Sequence, residues 1–393
     1  MSGCPGDQTV LTKTGINRNT PKLGFGFMRL PRLSGSDEYD MDQICHMVDV
    51  FMEAMGSKEG AVPYFDTAFV YDGGRSEEAL RKSLMERYPR ESYTIATKLN
   101  AGMPIVTGEA FAKEELLTSL ERLGTDYVDY YLLHAVQKGN IDKYNGFRLW
   151  EYILEQKAAG RIRHIGFSFH DTPEMLDELL TLHPEAEFVQ LQLNYADWEA
   201  PNVRSRGVYE TARRHGKPII VMEPVKGGTL ANPPAAVRDV FAAADPAASP
   251  ASWAIRYAAS LPGILTVLSG MTTLAQVEDN VSYMKEFQPL GAAELAVVAR
   301  AQEILASQDS IPCTGCRYCV DGCTMSIPIP DIFNASNRET VFGDHAGAAG
   351  AYARETKGKG TASSCVHCLQ CESVCPQHLP ITDLLKEASQ RFD

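Results

Sequence analysis

Eight of the ten cysteines in this 393-residue chain fall in two runs of identical spacing near its C-terminal end: Cys313, Cys316, Cys319 and Cys323, then Cys365, Cys368, Cys371 and Cys375. Each run places three thiols at i, i+3 and i+6 and a fourth four residues later. A short loop of that kind can wrap three sulfurs round one face of a cubane cluster while the fourth reaches elsewhere. Zinc ribbons use separated C-x2-C pairs, because four ligands must surround one small ion tetrahedrally. Disulfide frameworks do not call for this regular three-residue step. Cys4 and Cys45 lie outside the runs and read as ordinary thiols.

The spacing matches the bacterial ferredoxin pattern of two [4Fe–4S] clusters, in which the fourth cysteine of each run ligates the other cluster. That match implies one cluster on Cys313, Cys316, Cys319 and Cys375, and another on Cys365, Cys368, Cys371 and Cys323. The second run continues Cys375-Pro376, as the pattern does. The first continues Cys323-Thr324, with prolines only at Pro328 and Pro330.

A second constellation lies upstream: Asp66, Tyr71, Lys98 and His134, at or just beyond the ends of apolar, β-rich runs. Tyrosine titrates near 10, too high for efficient proton donation at neutral pH, but a nearby ammonium favours the phenolate. Lys98 can supply that charge. Asp66 would hold Lys98 in place, and a neutral His134 would orient a substrate carbonyl.

Eight strand candidates must position these groups: Leu23–Met28, Val62–Asp66, Tyr93–Lys98, Tyr127–His134, His164–Ser168, Phe188–Leu193, Pro218–Met222 and Leu265–Ser269. Helical patterns separate them at Met41–Met55, Ser76–Arg87, Phe111–Leu123, Tyr144–Ala159, Pro173–Thr181, Val203–His215 and Ser249–Ser260, with Leu274–Tyr283 following. Eight such alternations predict an α/β fold, a (β/α)8 TIM barrel with its chemistry at the C-terminal strand ends. The first strand runs into Arg29-Leu30-Pro31 without G-x-G-x-x-G, unlike a doubly wound sheet. The expected organisation is a barrel over 1–288, a connecting helix and linker over 289–310, and a small ferredoxin-like domain over 311–393. The interval Thr324–Ser364 reads as one helix with loops.

Phe65-Asp66-Thr67-Ala68 with Tyr71, Thr97-Lys98, Tyr130-Tyr131-Leu132-Leu133-His134 and Ile165-Gly166-Phe167-Ser168 resemble the aldo-keto reductase superfamily over residues 20–285. Some prokaryotic members carry a ferredoxin-like extension of this kind. The resemblance implies hydride transfer between a nicotinamide and a carbonyl or alcohol, with Tyr71 as proton donor assisted by Lys98, Asp66 and His134. It also implies Ser168 and Gln190 on the carboxamide, Met222 beside the ring, and Pro224, Gly227 and Gly228 under the pyrophosphate. Ser269, Gly270, Gln276 and Asn280 would face the adenosine end. No Lys or Arg follows Ser269 before Lys285, so NAD and NADP both stay open.

A net charge of −13 argues against nucleic acid or anionic lipid as partner, since both need a basic footprint. No apolar run is long enough to span a bilayer. Met1–Gly6 does not read as a secretory signal, so a cytoplasmic location is expected. The expected partners are a small carbonyl or alcohol and a ferredoxin or other redox protein. Substrate choice would rest on the loops Leu33–Asp40, Val136–Asn145 and Asp197–Arg204. The competing reading is an electron-transfer or scaffold subunit whose barrel does not turn over.

Overall fold

The computed structural model describes residues 16, 19–103, 105–200, 203–307, 310–342 and 345–393. Cys4 and the Met1–Gly6 stretch lie outside them. The described chain divides into two compact units. The first takes the described residues through Asn194, then Arg204–Pro224 and Ser252–Leu290; the second takes Tyr195–Val203, Val225–Ala251 and Gly291–Asp393. The division thus assigns two inserts between barrel elements to the C-terminal unit.

In the first unit eight parallel strands close into a barrel in sequence order. They are β1 Leu23–Gly26, β2 Tyr64–Asp66, β3 Thr94–Leu99, β4 Val128–Val136, β5 Ile162–Phe169, β6 Phe188–Gln192, β7 Ile219–Met222 and β8 Ile264–Gly270. Their apolar runs are buried on both faces, as a sheet enclosed by helices requires. Side chains alternate in direction along each strand. Tyr64, Ala96, Tyr130, Leu132, Phe188, Ile220 and Leu268 accordingly meet in one core cluster. Gly166 is needed on β5, because a β-carbon there would lie 2.5 Å from the Phe188 carbonyl oxygen.

Met41–Met55 is helical as the apolar spacing predicts, with Asp40 accepting from Gln43 N at its start. Two helices differ from expectation. Tyr144–Ala159 is broken into Ile141–Gly146 and Leu149–Ala158, because Arg148 adopts φ 50°. Ser76–Arg87 runs as Arg75–Leu80 and then a wider π turn over Arg81–Met85. Among the described residues no helix is long and apolar enough to cross a membrane.

In the second unit helix Ala235–Ala244, not foreseen from the sequence, packs on Ala292–Ala306. The interval between the cysteine runs holds two helices, Ile329–Phe342 and His345–Thr356, rather than one. The cysteine region is internally duplicated. Short helices Tyr318–Asp321 and Gln370–Ser373 sit at equivalent places in the two runs, followed by Ile329–Phe342 and Ile381–Phe392 at equivalent offsets. Ile327, Ile329, Ile332, Phe333, Tyr352, Leu379, Ile381 and Leu385 form its core, with six of the eight cysteines at the core's edge or within it.

Candidate functional site

A step of two residues beyond the barrel's inner cluster stays on the same strand face. It leads from Tyr64 to Asp66, from Ala96 to Lys98, from Leu132 to His134, from Phe188 to Gln190 and from Ile220 to Met222. Alternation therefore puts these polar groups in one layer at the C-terminal strand ends. Lys98 is fully buried, and Asp66 and His134 are each 3 % exposed. Lys98 Nζ donates to Asp66 Oδ1 at 2.6 Å and to the Thr67 carbonyl at 2.6 Å, and lies 3.4 Å from the Tyr71 hydroxyl. It also sits 4.8 Å from the Tyr71 ring centre. The Tyr71 and His134 rings meet edge to face at 5.7 Å. All four expected catalytic side chains are thus together.

Tyr71 opens a turn in which Asp72, Gly73 and Gly74 have φ of 50°, 64° and 93°. Asp72 carries the left-handed conformation without being glycine, and its carboxylate is gripped by Arg32 at 3.0 Å and Arg75 at 2.8 Å. Both guanidiniums lie 5.3 Å from the Tyr39 ring centre. The loop Leu33–Asp40, expected to shape the substrate site, is a small hairpin closed by Leu33 N donating to the Glu38 carbonyl and by an Arg32–Tyr39 bridge. It is therefore fastened to the turn that begins at Tyr71.

Burial pulls Lys98 below the ordinary ammonium value and Asp66 above the ordinary carboxylate value, while each charge holds the other ionised. Burial, the Lys98 charge and His170 push His134 well below its usual value, so its imidazole is neutral at pH 7. Behind it stand residues that sequence reasoning missed. Asn100 Nδ2 lies 3.5 Å from His134 Nδ1, and Tyr144 donates its hydroxyl to the His134 carbonyl. Asn100 N donates to Glu115 Oε2 at 2.9 Å. Glu115 is buried and pushed up to about 8 by desolvation. The available signal was Asn100 two residues beyond Lys98, and an acid on the inward face of helix Glu109–Leu123.

The residues expected to hold a nicotinamide divide into groups. Gln190 is buried, and its Oε1 has no partner among the described residues, which suits a carboxamide N–H donor. Ser168 Oγ accepts from Ala135 N at 2.7 Å, which leaves its own proton to donate. Met222 ends β7 partly buried, followed by Glu223, which faces Arg29 at 3.7 Å, and then Pro224. Beyond β8, Asn280 donates to Ser269 Oγ at 2.8 Å and accepts from the Tyr283 hydroxyl at 2.6 Å. Gln276 closes the capping box of helix Leu274–Met284, and Gly270 is exposed. Gly227 and Gly228 belong to the second unit. A β-carbon on Gly227, whose φ is 65°, would lie 2.2 Å from the Thr314 carbonyl oxygen; around Gly228 there is open space. The room that Gly227 provides is taken by backbone of the first cysteine loop.

In that unit the eight cysteines line two cavities. One is bordered by Cys313, Cys316, Cys319 and Cys375 with Ile329, Phe333 and Gln377. The other is bordered by Cys323, Cys365, Cys368 and Cys371 with Met325, Ile329 and Leu369. These are the two crosswise sets that the spacing implied, and Ile329 borders both. Left-handed residues recur at matching positions of the two loops: Gly315, Arg317 and Ser326, then His367, Leu369 and His378. Such strain at non-glycine residues persists where the surroundings enforce it. Among the described residues no three His, Cys, Asp or Glu converge closely enough for a single metal ion. Burial and the neighbouring sulfurs push Cys319 up, and burial with the Glu372 charge raises Cys371 to about 11. Backbone N–H groups of Leu379, Gln377 and His378 oppose that trend at Cys375. Cys45 is a half-buried free thiol on helix Met41–Met55.

Comparison with known proteins agrees with this geometry. Residues 22–303 match the aldo/keto reductase family, and residues 312–380 match a 4Fe-4S dicluster domain. An aldo-keto reductase of Strobilurus tenacellus is 29% identical over 215 residues, covering 53% of this chain and 59% of that protein. L-galactose dehydrogenase of Arabidopsis thaliana is 27% identical over 248 residues, covering 58% of this chain and 76% of the plant protein. The holo form of an aldo-keto reductase from Bacillus halodurans superposes with a TM-score of 0.58 at 25% identity, over 71% of this chain and 91% of the other.

Proposed function

This chain belongs to the aldo/keto reductase family and carries a C-terminal 4Fe-4S dicluster domain, and we propose that it is an iron–sulfur oxidoreductase that moves a hydride between NAD(P) and a carbonyl or alcohol. The observation that carries this reading is Lys98 Nζ, buried between Asp66 Oδ1 at 2.6 Å and the Tyr71 hydroxyl at 3.4 Å. A Schizosaccharomyces pombe relative, 25% identical, has NADP(+) in its name. Ser168, Gln190 and Met222 are proposed for the nicotinamide, the free Gln190 Oε1 being the best supported. Pro224, Gly227 and Gly228 are proposed for the pyrophosphate, and Ser269, Gly270, Gln276 and Asn280 for the adenosine end.

A bound nicotinamide supplies the hydride. As the carbonyl carbon gains that electron pair, Tyr71 delivers its hydroxyl proton to the carbonyl oxygen. The Lys98 ammonium stabilises the phenolate left behind, and Asp66 holds that ammonium against the cost of its burial. Neutral His134 donates a hydrogen bond to the same oxygen and fixes which carbonyl face is presented. Oxidation of an alcohol runs these steps in reverse.

Two [4Fe–4S] clusters are proposed in the two cysteine cavities, Cys313, Cys316, Cys319 and Cys375 holding one and Cys323, Cys365, Cys368 and Cys371 the other. Their role would be to divide a two-electron equivalent into single electrons, linking the barrel to a one-electron donor or acceptor. A cytoplasmic location belongs to the same proposal. The competing reading, an electron-transfer or scaffold subunit, draws on the Thr314 backbone filling the space beside Gly227. One anaerobic experiment separates them: NADH or NADPH is added to the iron-loaded protein and to Tyr71→Phe while nicotinamide absorbance and cluster EPR are recorded. The proposal expects both proteins to bind the nucleotide, and carbonyl reduction to fall by about 10²–10⁴ in the variant. Intact clusters with no response to either nucleotide would favour the scaffold.

A further inference from the structure

The duplicated cysteine loops are treated unequally by the rest of the second unit. Thr314, Gly315 and Arg317 of the first loop correspond in position to Val366, His367 and Leu369 of the second. Thr314 is 4 % exposed, with the backbone at Gly227 pressed against it. Its counterpart Val366 is 59 % exposed, and Leu369 is 53 % exposed. Met325, which borders the same cavity as Leu369 and Val366, is 39 % exposed. Cys368 is the exposed cysteine of this set, whereas Cys319 and Cys375 of the other are buried.

The bare face has a cationic edge. Gly360 N donates to the Ser326 carbonyl, and the Gly360 backbone packs on that of Met325, which brings the exposed Lys357 and Lys359 close by along the chain. His367 is exposed within the loop itself. Of the nearby acids, Asp321 faces the Arg317 charge and Glu372 accepts from Thr382. A basic edge round apolar side chains stands out on a chain of net charge −13, and exposed apolar groups with a polar rim mark interaction sites.

Building on the proposed cluster assignment, we propose that Met325, Val366 and Leu369, edged by Lys357 and Lys359, form the docking surface for a small acidic one-electron carrier protein. The cluster on Cys323, Cys365, Cys368 and Cys371 is then the outer one and exchanges electrons with the carrier. The cluster on Cys313, Cys316, Cys319 and Cys375 is the inner one, reached through the Ile329 boundary that both cavities share. Each docking event oxidises one carrier and reduces one cluster by a single electron. Two events deliver two electrons, which with one proton taken from solvent make up one hydride equivalent.

The test uses the full iron-loaded chain, oxidised, mixed anaerobically in a stopped-flow instrument with a reduced acidic [2Fe–2S] ferredoxin, while cluster bleaching is followed. The comparison protein is Lys357→Glu/Lys359→Glu, in which neither substitution touches a cysteine. At low salt the variant's second-order rate is expected to fall at least about tenfold, and the native rate to drop steeply with added salt. Reduction of both proteins by dithionite should be unchanged, which shows that the clusters are intact. Equal ferredoxin rates in the two proteins, or no ferredoxin reduction of a fully loaded native chain, would overturn the docking surface. Absence of clusters from purified, reconstituted protein would instead remove the reading on which it rests.

Discussion

Replacing Lys98 by methionine separates the structural cost of the buried ion pair from its contribution to catalysis. Lys98 Nζ makes two 2.6 Å hydrogen bonds, to Asp66 Oδ1 and the Thr67 carbonyl, and Asp66 Oδ2 has no other hydrogen-bond partner among the described residues. Lys98→Met leaves that carboxylate in the barrel mouth without a counter-charge. Removing one partner of such a pair costs about 3–5 kcal/mol, a large part of the roughly 5–15 kcal/mol that holds a domain folded. The double variant Lys98→Met/Asp66→Asn removes the stranded charge and is expected to recover to within about 1–2 kcal/mol of the native protein. Turnover should not recover, because the phenolate at Tyr71 still lacks its cation. The assay is anaerobic urea unfolding followed by far-UV circular dichroism, with single-turnover carbonyl reduction on the same three proteins. A native-like urea midpoint for Lys98→Met, or renewed turnover in the double variant, would refute the reasoning.

Glu115 supplies a pH dependence. Its folded value of about 8 lies above the ordinary 4.5, so the folded state holds the extra proton between these values. Stability from this group is complete below pH 4.5 and is lost as pH rises through 8, on the order of 5 kcal/mol in all; Glu115→Gln should flatten the fall in melting temperature between pH 5.5 and 8.5. The crosswise ligand sets are tested by pairing substitutions. Cys313→Ala/Cys375→Ala should retain about half the iron, like either single change, whereas Cys313→Ala/Cys323→Ala should lose nearly all of it; the reverse pattern, with the first double losing nearly all and the second about half, would show that each run holds its own cluster.

The barrel was legible because strands buried on both faces leave dense apolar runs, and because helices must cover them at regular intervals. The two-residue period then aligned Asp66, Lys98 and His134 without further information. The break at Arg148 was not legible, since a left-handed arginine has no compositional signal comparable to glycine. Helix Ala235–Ala244 escaped although Val237 and Phe241 lie one turn apart on its buried face, because that apolar pair spans a single turn amid alanines. The supporting shell was invisible for a different reason. Asp72 with Arg32, 40 residues apart, and Asn100 with Glu115, 15 apart, are pairings that no local pattern encodes. In the C-terminal region, the cysteine spacing fixed the two sets of four, but not which loop would be covered and which left bare.

The second unit is threaded through the first along the chain. Tyr195–Val203 and Val225–Ala251 are made long before Gly291–Asp393, yet they pack with it. Helix Ala235–Ala244 leaves the ribosome before its partner Ala292–Ala306 exists, and the Gly227 turn before Thr314. These inserts meet their packing partners only once the cysteine region is synthesised. The cysteine region therefore cannot be cut away or transplanted as a cassette without stripping its earlier-made segments of their packing.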